Sequence, residues 1–411
     1  MAWDPSRRVF LRGAGLAALG VGFHPSSLLV RTAEAAAPGS KVLVKVFLRG
    51  GADGLNLCAP YGDSDYYSLR GPIALPRPGQ SSRSVLNLDG YFGLHPALAP
   101  LKPLYDDGRL AFLHAVGHYE LTRSHFDAQD WMETGAAGNK PMPTTGWLDR
   151  CIARIPGSEV TQAVCFARRH PRSFLGLEPV VVAQDLASFD VRARNWRPEA
   201  ERLLRAMYEG EPDTPLGRLG RQAFAALDVL LKTPVISGPA ANGAVYPGNE
   251  FANSMRQAAA IIRAGIGTRC IYVDYSAGFD THANQLAANA IDYGNLGATL
   301  AAFDLDLGNL RDDVVVMVTT EFGRAAFVNG SLGTDHGSAH CMILMGGRVR
   351  GGRVHGSWPG LSKPQLYQER DLAVTTDFRD VFAEVARVQL GVDPSGLFPG
   401  YTPVAGPGIV G

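Results

Sequence analysis

Short apolar runs that stop at glycine or at a polar cluster recur along the chain: VLVKVFL at 42–48, LAFLHAV at 110–116, CIYVDY at 270–275, VVVMV at 314–318 and CMILM at 341–345. Runs this short and this continuous suit strands buried on both faces better than helices. Between them the apolar spacing changes to the period of amphipathic helices, over 198–209, 215–232, 249–264 and 284–307. Ser124 precedes HFDAQDWMETG and Thr376-Asp377 precedes FRDVFAEVARVQLG, so both helices begin with a capping residue. A strand and hairpin insert is expected over 161–193, a Pro- and Gly-rich surface connection over 233–248, a short helix near His95 and a second hairpin over 346–356. Strands alternating with helices predict an α/β fold: one domain with a mostly parallel central sheet and helices on both faces.

In such a sheet, ligands gather beyond the carboxyl ends of the strands. Four polar clusters follow strands directly. Asp53 and Asn56 follow the first strand, and Arg123, Ser124 and His125 the second. Asp280 and His282 follow CIYVDY; Glu321, Asp335 and His336 follow VVVMV, and His340 opens the next strand. Carboxylates and imidazoles are costly to bury without a compensating charge, and together they suit a divalent ion. Zinc is the first expectation, with manganese, magnesium or calcium as alternatives, and the candidate ligands are Asp53, Asp280, His282, Glu321, Asp335, His336 and His340. Asp335 and His336 point apart if extended, so one can bind metal while the other supports it. A hydroxyl at a helix start beside Arg123 makes Ser124 either a plain N-cap or a nucleophile facing an anion. The candidate catalytic set is Ser124, Arg123 and His125, whereas His114 and His118 read as structural or as support behind a site.

Charge excludes one class of function. Lysine plus arginine and aspartate plus glutamate both number 39, a balance that supports neither nucleic-acid binding nor a polybasic membrane role. The N-terminus has its own pattern: SRRVFLRG, then the short apolar run AGLAALGVGF, then RTAEAAAPG. This order predicts a twin-arginine signal peptide over 1–35, cleaved after Ala33-x-Ala35, and a periplasmic or secreted protein. No later apolar run has the length of a membrane span, so none is expected in the mature chain. The five cysteines lack C-x-x-C spacing, which argues against a zinc ribbon.

RGGADGLN, TRSHFDAQ, GFDTHANQ, TTEFGR…NG…GTDHG and TTDFRDVF together resemble the bacterial family called domain of unknown function 1501, placed in the alkaline phosphatase-like superfamily. The resemblance implies that fold and metal-dependent chemistry on phosphate or sulfate esters. It matches the acidic ligand ending the first strand to Asp53, the nucleophile to Ser124, and a paired Asp and His to Asp280 and His282, here two apart rather than four. The late Asp-His pair of the superfamily falls at Glu321-Phe322, where the His is replaced by Phe, and Asp335-His336 can supply the pair instead. No C-x-P-S-R or S-x-P-S-R sequence occurs, which disfavours a formylglycine sulfatase. Two functions follow: an exported hydrolase or transferase acting on a small or polymer-linked anionic ester, or a non-catalytic binding or assembly protein with a protein partner at the cell envelope.

Overall fold

A computed structural model describes residues 40–136, 138, 142–157, 159–186, 197–210 and 214–411. The expected signal peptide, 1–35, lies outside the described residues.

Nine strands form the central sheet: β1 (Val42–Arg49), β2 (Leu110–Gly117), β3 (Ala163–Phe166), β4 (Val181–Ala183), β5 (Cys270–Ser276), β6 (Val314–Thr320), β7 (His340–Gly346), β8 (Val354–His355) and β9 (Thr376–Asp377). Their order is β8-β2-β7-β6-β1-β5-β3-β4, with β9 also paired to β2. Among the described residues only β7 runs antiparallel to its neighbours, so the carboxyl ends of β1, β2, β5 and β6 share one edge with the start of β7. The sheet is mostly parallel, as the apolar runs predict.

Alternation along β1 divides the core in two. Val42, Val44, Val46 and Leu48 pack with Phe224, Met255 and Leu300, from helices on one face. Leu43 and Phe47 pack with Trp147, Phe378 and Phe382 on the other. Both faces are therefore covered, which explains strands that are apolar at successive positions. Lys45 interrupts this run with no exposure at all, ringed by Phe47, Trp147, Tyr272 and Phe382 at 5.1–5.5 Å. Burial pulls its ammonium down to about 7.

Two segments expected as hairpins contain strands that pair in parallel, and residues 187–193 of the first lie outside the described residues. β3 and β4 pair in parallel with each other and extend the sheet beyond β5. Val164 and Phe166 enter one core and Ala163 and Cys165 the other, a burial on two faces that suits the sheet and not a surface hairpin. β8 likewise pairs in parallel with Phe112–Leu113 of β2 instead of folding back on β7.

The helices that bear on the site are α1 (Gly54–Leu57), α2 (Ser64–Arg70), α3 (His125–Thr134) and α4 (Gln285–Leu307). Asp53 caps α1 and Ser124 caps α3, each accepting from a backbone N–H of the first turn.

Candidate metal centre

The loops after β1, β2, β5 and β6 meet at the shared edge. Gly50 has φ +122°, and a Cβ there would lie 2.9 Å from the Asp280 nitrogen. A Cβ at Gly333 would lie 2.3 Å from the carbonyl carbon of His282. Glycine at these two positions lets the neighbouring loops press directly on the Asp280–His282 turn.

Three imidazoles and one carboxylate converge. The Nε2 atoms of His125, His282 and His336 lie 3.4, 3.0 and 3.1 Å from Oδ1 of Asp280. Nε2 of His336 is 3.0 Å from that of His125 and 3.0 Å from that of His282. His125, Asp280 and His336 have ligand atoms all within 4.8 Å of one another, and His282 adjoins two of these three.

What lies behind each ring decides its tautomer. Nδ1 of His125 donates to Oε1 of Glu321 at 2.8 Å, Nδ1 of His282 to Oδ1 of Asp335 at 3.1 Å, and Nδ1 of His336 to the Arg123 carbonyl at 2.7 Å. Carboxylates and carbonyls only accept, so the proton of each neutral ring sits on Nδ1. Each Nε2 then presents a lone pair to the others and to a carboxylate oxygen. Lone pairs at such spacing repel unless a cation lies among them. Ligands about 2.0–2.1 Å from a tetrahedral zinc ion are roughly 3.3 Å apart, close to the spacing observed here. The donor set fits a divalent ion, and the backing acceptors are of the kind that orient metal-bound histidines.

The electrostatics agree. Hydrogen bonding to Glu321 raises the His125 pKa against the opposing effect of burial, whereas burial lowers that of His336. Burial pushes the Asp280 carboxyl up, but Arg324, with His125 and His282, outweighs it and holds the group below the usual range. Burial likewise opposes ionisation of Glu321, and bonds from His125, Gln129 and the Gly50 N–H prevail. Asp280 and His282 are about half exposed, with side-chain values of 47% and 46%, so the centre opens to solvent on one side. Phe322 closes the other side, its ring 4.7 Å from that of His125 and 5.0 Å from that of His336.

Two expected ligands stand apart. Asp53 is buried in an ion pair with Arg70 and also accepts from Gln285 and the Leu55 N–H, so guanidinium and amide donors occupy both its oxygens. His340 is fully buried with no hydrogen bond to either ring nitrogen among the described residues, and burial takes its pKa down to about 4. Glu321 and Asp335 face the Nδ1 sides of their histidines, behind the convergence and not within it. His125, expected in the catalytic set, contributes Nε2 to the convergence. The Arg123 side chain turns to Asp371 and Gln368, while its carbonyl holds His336. Ser124 Oγ accepts from the Asp127 N–H at 3.4 Å, a long capping bond.

Arg324 is the residue that sequence reasoning missed. Fully buried, it donates to the carbonyls of Gly50, Gly51, Phe279 and Thr334 and to Asp280, tying three loops to one guanidinium. Its position in TTEFGR was visible in the sequence, but its long-range partners were not.

A family model described as "Protein of unknown function (DUF1501)" matches residues 219–397, somewhat less than half of the chain. Comparison with curated proteins gives no match. Among solved structures, the chain is similar to Ps i-CgsB in complex with k-i-k-neocarrahexaose, at 10% identity and TM-score 0.39, covering 88% of this chain and 75% of that one. The lipoteichoic acid synthase LtaP from Listeria monocytogenes aligns at 9% identity and TM-score 0.31, covering 76% of this chain and 62% of that one. The alkaline phosphatase from the Antarctic bacterium TAB5 aligns at 13% identity and TM-score 0.29, covering 75% and 92%. These likenesses are distant, and the α/β assignment stands on the strand pairing itself.

Proposed function

We propose that this chain is an exported, metal-dependent hydrolase or transferase of phosphate or sulfate esters, built on an alkaline phosphatase-like fold. The observation that carries the reading is the convergence of three Nε2 atoms on Asp280, with every Nδ1 committed to an acceptor. Asp280, His125, His336 and His282 would hold a divalent cation, which would supply Lewis acidity toward an ester oxygen. Glu321 and Asp335 keep the Nδ1 protons in place, and Arg324 fixes Asp280. Ser124, at the start of α3 and next to His125, is the proposed nucleophile. Its Oγ bonds to phosphorus or sulfur as the ester bond breaks, and its proton passes through solvent to the departing alkoxide. The proposed substrate is an anionic ester, small or polymer-linked, whose charge the cation would face.

Export rests on the twin-arginine pattern at Arg7-Arg8, and no described helix is long and apolar enough to cross a membrane. A second reading, a non-catalytic binding or assembly protein at the envelope, draws support from Asp53. Its oxygens are occupied by Arg70, which leaves one metal position at this edge among the described residues, where a two-metal phosphatase needs two.

The deciding experiment measures bound metal in the purified mature protein. It then assays phosphate mono- and diesters, phosphonates and sulfate esters with added zinc or manganese. Bound metal with turnover of at least one class is expected; an inert protein across the panel removes the catalytic reading.

A further inference from the structure

A second group of metal-ligating side chains lies in the core and shares no residue with the centre described above. Cys58 follows α1, His114 lies within β2 and Cys341 within β7. Their two sulfur atoms and one ring nitrogen lie within 4.8 Å of one another, and all three residues are buried. The segments come together because β2 and β7 are paired neighbours and α1 packs against β7.

His114 carries the informative detail. Nε2 donates to the Cys58 carbonyl at 2.7 Å, which leaves the lone pair on Nδ1. Nδ1 is buried and has no hydrogen-bond partner among the described residues. A buried acceptor left unsatisfied costs about 1–3 kcal/mol. Phe92 stacks on the ring at 5.3 Å and Trp358 meets it edge-on at 5.1 Å, so the ring is clamped in an apolar wall. The thiols have few polar contacts: Cys341 reaches the Met342 carbonyl at 3.7 Å and meets Cys58. Burial pushes the Cys58 thiol well above its ordinary value, and its contact with Cys341 adds to this. Two buried thiols and a lone imidazole nitrogen are poor hydrogen-bond partners for one another. They are good ligands for a soft cation.

We propose that Cys58, Cys341 and a ring nitrogen of His114 form a buried site for a thiophilic d10 metal ion, zinc or monovalent copper. Two thiolates neutralise a zinc ion outright, and three soft ligands complete the coordination that monovalent copper accepts. A coordinating thiol loses its proton to the metal, so the high intrinsic pKa of Cys58 does not oppose binding once the ion is present. Full burial means that loading accompanies folding, and the ion contributes to stability through that coupling.

The test uses the full chain, produced in separate cultures supplemented with zinc or with copper under reducing conditions. Metal content is measured in wild type and in the variants Cys58→Ser, Cys341→Ser, His114→Phe and His336→Ala. One equivalent of zinc or copper that persists in His336→Ala and is lost from both cysteine variants is expected, with His114→Phe weakening retention by roughly tenfold or more. Should the core variants fail to fold, cadmium loaded into wild type during refolding provides an independent measure. A near-ultraviolet thiolate-to-cadmium band is expected, together with protection of Cys58 and Cys341 from alkylation. The proposal is overturned if His336→Ala retains no metal, if folded wild type shows no thiolate band, or if mass mapping finds Cys58 and Cys341 joined as a disulfide.

Discussion

Arg70 lays its guanidinium across both carboxylate oxygens of Asp53, Nη2 meeting Oδ1 at 3.0 Å, and both side chains are 1% exposed. The acid that ends the first strand is thereby committed to a protein cation. Removing one partner of a buried pair leaves an uncompensated charge, at a cost of about 3–5 kcal/mol. Arg70→Ala is therefore expected to lower the unfolding free energy by that amount in denaturant titration. Asp53→Asn, in contrast, is expected to leave the metal content of the His125–His336 centre unchanged. Loss of metal in a folded Asp53→Asn protein would return Asp53 to the ligand set.

Ligand variants should act on metal before they act on fold. His282 is half exposed, so His282→Ala is expected to lose metal with little loss of stability, whereas Asp280→Asn also leaves the buried Arg324 guanidinium without its carboxylate and is expected to lose both metal and stability. Glu321→Gln keeps the shape but weakens the acceptor behind His125, and metal affinity should fall about 10–100-fold. Competition with a chelator of known affinity measures both effects.

Ser124 separates capping from catalysis. Its capping bond to the Asp127 N–H is 3.4 Å long, and loss of an N-cap costs about 0.5–2 kcal/mol. Ser124→Ala is expected to melt near the wild-type temperature and to lose turnover by orders of magnitude, as loss of a covalent nucleophile does. Full activity in Ser124→Ala would transfer the nucleophilic role to a water molecule.

Acid should unfold the protein through its buried histidines. Burial takes His95 and His340 down to about 4. An imidazole whose folded pKa is depressed binds its proton later than the unfolded chain does. The stability it contributes is therefore complete above the unfolded value near ~6.5 and drains as pH falls toward 4. Each buried ring contributes on the order of 3 kcal/mol to that decline. Thermal melts of chelator-treated protein from neutral to acidic pH should fall across this window, and His340→Phe should fall less steeply if it folds.

Export is checked by replacing Arg7 and Arg8 with lysine. Precursor is expected to accumulate in the cytoplasm, and processing at wild-type levels would reject the twin-arginine assignment.

The apolar runs carried their own secondary structure because a strand buried on two faces has to be apolar at successive positions. β1, β2, β5 and β6 consequently fall within a residue or two of the runs. Helix starts were readable for a similarly local reason: Ser124 and Asp377 cap with their own side chains. Convergence of polar clusters at one edge followed from parallel topology. The role of each residue inside that edge did not. Asp53 and Asp280 are both aspartates on loops after parallel strands, yet one meets Arg70 and the other three imidazoles. Asp335 and His336 are adjacent, yet one backs His282 while the other joins the convergence. Partners such as Arg70 and Arg324 arrive from distant segments, and one hydrogen bond from either decides whether a carboxylate oxygen is open to a metal. A local pattern places a residue on a loop, while the free lone pairs it keeps there depend on contacts that only the folded chain creates.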